Sequence, residues 1–196
     1  VVNHQRRFEK NFLIAKKIIE KKKIGKITNI NGIYTSKIVN IGTHLIDCIR
    51  MITKLEPTYT YSIFKNKYDR KDPSVSGILY FNNEITCSIQ AVGSKYKYIF
   101  EIDIIGSKGR LRIINNGKKI EYFKFNKSKN FMKYDELFQK KIDSDKQNDP
   151  MLELFKSTIN AYEKNTKIYP NLNDGFKNLL IVDTMIKSAF QKKLLK

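Results

Sequence analysis

Hydrophobic residues recur every three or four positions in four segments of the chain, which is the spacing of one buried face of an α-helix. The first helical segment is Phe8–Lys26, where apolar residues lie opposite lysines, and the second is Thr43–Thr53, with Thr43 as a candidate N-cap. Two further segments close the chain, one beginning at Pro150 and one near Asp174. The pattern predicts two helices near the start of the chain and two at its end.

Between these segments, apolar residues alternate with polar ones, which is the period of a half-buried β-strand. Short turns that contain Asn or Gly, such as Asn82-Asn83, separate several neighbouring strands as they do in hairpins. The polar stretch 126–149 shows no such alternation and is predicted to be a loop. The predicted strands are Ile27–Thr35, Thr58–Phe64, Ser74–Phe81, Glu84–Val92, Tyr96–Ile105, Arg110–Ile114 and Lys119–Phe125.

This order of elements predicts an α+β fold. Consecutive hairpins favour an open, mostly antiparallel mixed sheet with the helices packed on one face. The length of 196 residues suits a single domain that spans residues 1–196. The face of the sheet without helices must meet solvent or a partner, so a homo-oligomer formed through this open face is expected.

The charge of the chain permits two interpretations. Its 38 Lys and Arg against 19 Asp and Glu give a net charge of +19, which is typical of proteins that bind nucleic acid or anionic membranes. The lysines are spread along the whole chain, however, and the residues Lys, Asn, Ile, Tyr and Phe are abundant together, as AT-rich coding DNA would produce. We favour codon bias, and therefore do not expect a nucleic-acid partner.

The remaining composition indicates a cytoplasmic protein. No apolar run reaches the roughly 18 residues of a membrane span, and the N-terminus does not have the pattern of a signal peptide. The two cysteines, Cys48 and Cys87, form no CxxC motif and are expected to be buried thiols in a reducing compartment.

Candidate chemistry is concentrated in "NIGTHLIDCIR", residues 40–50. His44 would lie in the first turn of a helix, whose dipole disfavours an imidazolium and keeps the ring able to accept a proton. Asp47, three residues on, shares its face and could orient the imidazole, while Asn40 lies in the preceding loop. The alternative is a lone histidine that the helix tolerates. With His4 the only other histidine and no Cys/His cluster, no metal site is expected.

Several stretches, taken in order, resemble the C-terminal domain of the glucose–fructose oxidoreductase, inositol dehydrogenase and rhizopine-catabolism oxidoreductase family (Gfo/Idh/MocA). They are "NHQRRF" near the start, "GTHLID" in the middle, the hairpin "EIDIIGSKGRLRI" and the closing "YPNLNDGFKNLLIVDTMIKSA". The resemblance covers nearly all of the chain. Each motif is weak by itself, and their common order is what carries the similarity.

The resemblance implies a parent protein of two domains. An N-terminal Rossmann domain would bind NAD or NADP, and the present chain would be the substrate-binding and oligomerisation domain. The chain opens at Val1, without Met, on what looks like the end of a strand, and contains no Gly-rich nucleotide loop. The expectation is that the nucleotide-binding domain is missing, that no cofactor-binding residue can be assigned here, and that the fragment alone is inactive.

The resemblance also assigns roles to individual residues. His44 matches the catalytic histidine that exchanges the hydroxyl proton of the substrate. Asn40 stands where the family has an acid, so it can bind a substrate hydroxyl but cannot share a proton. Asp47 matches the family's trailing acid and is expected at the substrate site. Arg7, with Arg6 beside it, would hold substrate or cofactor at the domain junction, or form a junction salt bridge.

Two functions follow from these observations. The first is the substrate-binding domain of an NAD(P)-dependent oxidoreductase that acts on a hydroxyl or keto group of a sugar, nucleotide sugar or cyclitol. The second is a non-catalytic basic interaction module, which would bind a polyanion or act as a degenerate dimerisation domain. Polyanion binding would weaken steeply with added salt, whereas sugar oxidation would depend on His44.

Overall fold

The computed structural model of the protein describes residues 1–66, 71–82, 84–93, 97–142, 144 and 148–196. In these residues a 3₁₀ turn (Gln5–Phe8) precedes the first helix, and a π-helical turn (Ile38–Gly42) runs directly into the second. The α-helices are α1 (Lys10–Glu20), α2 (Thr43–Thr53), α3 (Pro150–Glu163) and α4 (Leu172–Gln191).

The strands of the described residues form one open sheet of eight members in the order β2-β3-β4-β1-β5-β6-β7-β8. β1 pairs with β4 in parallel, and each of the other neighbouring pairs is antiparallel. The predicted α+β fold with a mostly antiparallel mixed sheet is therefore confirmed. The strands are β1 (Ile27–Thr35), β2 (Tyr59–Asn66), β3 (Ser74–Tyr80), β4 (Thr86–Val92), β5 (Phe100–Gly106), β6 (Gly109–Ile114), β7 (Lys119–Lys127) and β8 (Asp135–Lys140).

The hydrophobic core lies between one face of this sheet and the helices α1, α2 and α4. Alternate residues of the central strands point into it, as the period of two requires. Gly32 of β1 lies directly under α2, because a Cβ at this position would come within 2.9 Å of Leu45 and 3.2 Å of Ile49. The absent side chain lets α2, the helix that carries His44, pack closely on the sheet.

The boundaries of the first two helices differ from the prediction. α1 is shorter than Phe8–Lys26, because Phe8 belongs to the 3₁₀ turn and Lys22 has a left-handed φ of 51°, which a continuing helix cannot contain. Thr43 is not an N-cap, since the π-helical turn already has helical backbone before it. Its hydroxyl instead donates to the carbonyl oxygen of Val39 at 2.7 Å.

The largest error of the sequence prediction concerns the stretch 126–149, which was expected to be a loop. It contains β8, an edge strand that pairs antiparallel with β7. The residues of β8 are all exposed or half-buried, so the alternation that identifies a strand is missing. The predicted turn residue Asn83 and the predicted strand start at Tyr96 lie outside the described residues.

Candidate active site

The loop before α2 is anchored from a distant part of the chain. The carboxylate of Asp72 accepts hydrogen bonds from the backbone N–H groups of Val39, at 2.7 Å, and Asn40, at 3.1 Å. These are N–H groups at the start of the helical segment, which have no partner inside it. Asp72 therefore performs the capping task that the sequence assigned to Thr43, and it fixes the backbone that carries Asn40 and His44.

His44 is half-buried in the first turn of α2. Burial lowers its pKa from 6.5 to about 4, with smaller contributions in the same direction from His4 and Arg6, while Asp47 opposes the shift. A pKa of about 4 corresponds to a neutral ring at pH 7, and burial is its largest cause. The sequence argument relied on the helix dipole instead, but the helical segment already begins at Ile38, so His44 does not lie at its first residues.

Asp47 lies on the same helix, but its carboxylate is directed at other partners. It is fully buried and accepts two hydrogen bonds from Arg7, at 2.8 and 2.6 Å, and one from the amide of Asn178 at 2.7 Å. Between the described residues Asp47 and His44 there is no hydrogen bond. The structure therefore brings the predicted residues Arg7 and Asp47 together, and does not join Asp47 to His44 directly.

This ion pair extends across three parts of the chain. Arg7 also donates to Asp174, at 3.2 Å, so the segment before α1 is tied to both α2 and α4. Arg50 of α2 donates to the side-chain oxygen of Asn178 and forms a pair of hydrogen bonds with Glu56, at 2.7 and 2.6 Å. The side chain of Arg7 is 14% exposed, so its charge is largely compensated within this network.

Asn40 has a different environment. Its side chain is exposed and makes no hydrogen bond with the described residues, although its backbone N–H and C=O groups are both used. The amide is therefore free to donate to, and accept from, a ligand beside His44.

Two residues near His44 were not identified from the sequence as part of the site. His4 is 6% exposed and its Nε2 lies 3.0 Å from the amide nitrogen of Asn178, while its ring contacts that of His44. Asn178 connects His4, Asp47 and Arg50. The scarcity of histidine was the only sequence signal for His4, and nothing in the local pattern of α4 distinguishes Asn178.

Arg6 is a further charged residue close to His44. It donates to Glu9 at 2.9 Å and to the hydroxyl of Tyr98, and its guanidinium lies 3.9 Å from the centre of the Phe100 ring. The stacking and the hydrogen bonds fix its position. Its positive charge is one of the causes of the low pKa of His44.

The described part of the chain contains no cluster of three or more His, Cys, Asp or Glu residues that could hold a metal ion. The chain also has no Gly-rich loop between a strand and a helix, which is the usual cradle for the phosphates of a dinucleotide. These residues therefore do not fit a complete dinucleotide site. No helix among the described residues is both long and apolar enough to cross a membrane.

Comparison with models of known protein families shows the family to which this chain is related. Residues 35–196 match the model of the oxidoreductase family, C-terminal alpha/beta domain, known as Gfo/Idh/MocA. The chain belongs to this family. The resemblance inferred from the sequence is confirmed, and the match includes Asn40, His44 and Asp47. A comparison with curated protein sequences finds no match.

Solved structures show the same fold at low sequence identity. An aldose-aldose oxidoreductase from Caulobacter crescentus, complexed with glycerol, has a TM-score of 0.81 at 13% identity, covering 99% of this chain and 62% of its own. Levoglucosan dehydrogenase in complex with NADH and L-sorbose has a TM-score of 0.79 at 15% identity, covering 100% and 65%. The chain thus spans less than two thirds of the length of these Gfo/Idh/MocA-like structures.

The fold by itself does not decide activity. A super-repressor mutant of Gal80p from Saccharomyces cerevisiae also has a TM-score of 0.79, at 15% identity, covering 100% of this chain and 65% of that one. A repressor and sugar oxidoreductases therefore share this architecture. The functional argument has to rest on the residues around His44.

Proposed function

We propose that this domain is the substrate-binding half of an NAD(P)-dependent oxidoreductase, which acts on a hydroxyl or keto group of a sugar, nucleotide sugar or cyclitol. The observation that carries the proposal is the placement of His44. It is a half-buried imidazole in the first turn of α2, which packs on the sheet and whose preceding turn is held by Asp72, and burial lowers its pKa. A neutral ring in a fixed position is what a proton acceptor requires.

The nicotinamide, when bound, supplies the hydride acceptor or donor. The contribution of this chain is the movement of the proton. In the oxidation direction, a ring nitrogen of His44 takes the proton of the substrate hydroxyl as the carbonyl forms, and in reduction the imidazolium returns it. General base catalysis of this kind contributes about 10²–10⁴-fold to the rate.

We propose that Asn40 orients the reacting hydroxyl. Its exposed amide makes no hydrogen bond with the described residues, and an amide can donate to one oxygen and accept from another. Substrate contact by Arg7 and Asp47 stays a prediction. Their mutual ion pair gives these two residues a further task, which is to hold α2 and α4 together beneath the site.

The cofactor is proposed to be bound mainly by a separate N-terminal domain. Two facts support this: the chain covers 62–65% of the sugar oxidoreductase structures it matches, and it has no Gly-rich phosphate loop. The choice between NAD and NADP would be made in that domain. A cytoplasmic location is proposed from the two free, buried cysteines.

We propose further that two copies associate through the open face of the sheet. Tyr61 and Ile63 of β2 and Ile78 of β3 are 42%, 55% and 38% exposed there, and Tyr61 lies opposite Ile78 in the strand pairing, so apolar side chains are exposed side by side. Light scattering after gel filtration should report a dimer, and the Ile63→Lys variant should report a monomer. A wild-type monomer at high concentration would contradict this proposal without affecting the role of His44.

The test of the catalytic proposal is hydride transfer in the polypeptide that joins this domain to its nucleotide-binding domain, followed at 340 nm. His44→Ala should lower the rate by about 10²-fold or more. Asp183→Asn, which removes an exposed ion pair with Lys187 on α4, should leave the rate unchanged. An unaltered rate in His44→Ala would remove the catalytic assignment and favour a non-catalytic interaction module.

A further inference from the structure

The two histidines of the chain meet at the candidate active site. The centres of the His4 and His44 rings are 5.2 Å apart and the ring planes are perpendicular, at 88°, so the rings touch edge to face. The Nδ1 atom of each ring is buried, and no described residue forms a hydrogen bond with it. Buried polar atoms without a protein partner are rare, so each of them calls for an explanation.

The hydrogen bonds around Asn178 determine which nitrogen of His4 carries the proton. The side-chain oxygen of Asn178 accepts from Arg50, so its NH₂ group must face the other way. That group donates to Asp47 at 2.7 Å and lies 3.0 Å from Nε2 of His4. An NH₂ group can only donate, so Nε2 of His4 accepts, and the proton of the neutral ring is on Nδ1.

The charges around His4 are consistent with a neutral ring. Burial lowers the pKa of His4 and is the largest influence on it. Asp47 and Asp174 raise that pKa, whereas Arg7 and Arg50 lower it, so the nearby charges act in opposite directions.

We propose that His4 is a positioning residue for His44: Asn178, itself held by Asp47 and Arg50, fixes the His4 ring in its Nδ1-protonated tautomer, and this ring sets the orientation of the His44 imidazole. The sequence predicted that Asp47 orients His44 directly. In this arrangement Asp47 instead holds Asn178, Asn178 holds His4, and the His4 ring contacts His44. The biological meaning of this arrangement rests on the proposed function. The arrangement itself can be tested without activity.

The first test is the ¹⁵N spectrum of the histidine side chains in this chain. At pH 7, Nδ1 of His4 should resonate as a protonated nitrogen and Nε2 as an unprotonated one. Its two nitrogen signals should not average between tautomers. A His4 ring that is protonated on Nε2, or that exchanges freely between tautomers, would overturn the proposal.

The second test compares two variants on α4. Asn178→Leu removes the donor to His4, and the His4 tautomers should then average and the His44 signals should shift. Ser188→Ala is the matched control, because Ser188 is equally buried on α4 and, among the described residues, its hydroxyl bonds with the β2 backbone and Lys193 and not with either histidine. This control should leave both histidine spectra unchanged. His44 signals that stay at their wild-type positions in Asn178→Leu would contradict the proposal.

His4→Ala provides a variant that does not depend on Asn178→Leu being folded. Loss of the ring contact should allow the His44 ring to average between orientations. It should also move the titration midpoint of His44 upward from about 4, because burial is the main cause of the low pKa and the His4 ring covers one side of the His44 ring. The charged groups near His44, Arg6 and Asp47, remain in place. An unchanged midpoint together with unchanged His44 signals would exclude a positioning role, and would leave the proton-transfer role of His44 intact.

Discussion

Asp47→Ala is the perturbation that tests the buried network most severely. The carboxylate of Asp47 is 1% exposed and accepts charge-assisted hydrogen bonds of 2.6 and 2.8 Å from Arg7 and one of 2.7 Å from Asn178. Removing one partner of a buried ion pair costs about 3–5 kcal/mol, because the other charge is left without compensation. Arg7 retains its hydrogen bond with Asp174, at 3.2 Å. We therefore expect Asp47→Ala to lower the free energy of unfolding by about 3 kcal/mol, the lower end of that range.

The assay is urea unfolding followed by circular dichroism, with thermal unfolding as a second readout. A loss of about 3 kcal/mol should lower the melting temperature by roughly 6–12 °C in a domain of this size. Replacing both partners, as Arg7→Met with Asp47→Leu, should cost less than the sum of the two single replacements. The reasoning is refuted if the free energy of unfolding of Asp47→Ala is within about 0.5 kcal/mol of the wild-type value. The surface control Asp183→Asn is expected to stay within that limit.

Three further predictions follow from the buried residues. The pKa of His44 in the folded protein, about 4, is below its ordinary 6.5, so the unfolded chain binds the proton first as the pH falls. The free energy of unfolding should therefore decrease as the pH is lowered from 6.5 to 4, and this decrease should be smaller in His44→Gln. Cys48 and Cys87 are fully buried and burial raises the pKa of both thiols, so a disulfide reagent should modify them in urea and not in the folded protein. Gly32→Val should reduce the free energy of unfolding in urea by about 1–3 kcal/mol, because its side chain would press on α2, whereas Asn29→Val, at an exposed position of the same strand, should be nearly neutral.

The sequence was most informative where one face of an element is buried. The alternation in β5 and β6 is visible because every second residue faces the core, and their boundaries were predicted to within a few residues. The same reasoning missed β8, whose residues are all at least partly exposed. It also missed the π-helical turn before α2, because the backbone there is stabilised by Asp72, a residue distant in the sequence.

The residues of the candidate site also differ in how far the sequence could predict them. His44 and Asn40 could be found from their spacing and from the family resemblance, since both lie within one short motif. The hydrogen-bond partners of Asp47 could not be found in this way, because Arg7 and Asn178 come from the beginning and the end of the chain. Side-chain contacts of this range depend on how the helices pack, which local patterns of hydrophobic residues do not determine.

The measurement that tests the central claim most directly is the single-turnover rate of hydride transfer as a function of pH, in the polypeptide that carries both domains. The wild-type rate of substrate oxidation should decline as the pH falls toward the pKa of His44, about 4 in this structure. His44→Gln should be slower by about 10²-fold or more and should lose this dependence. A His44→Gln protein with the rate and the pH profile of the wild type would contradict the assignment of His44 as the proton acceptor.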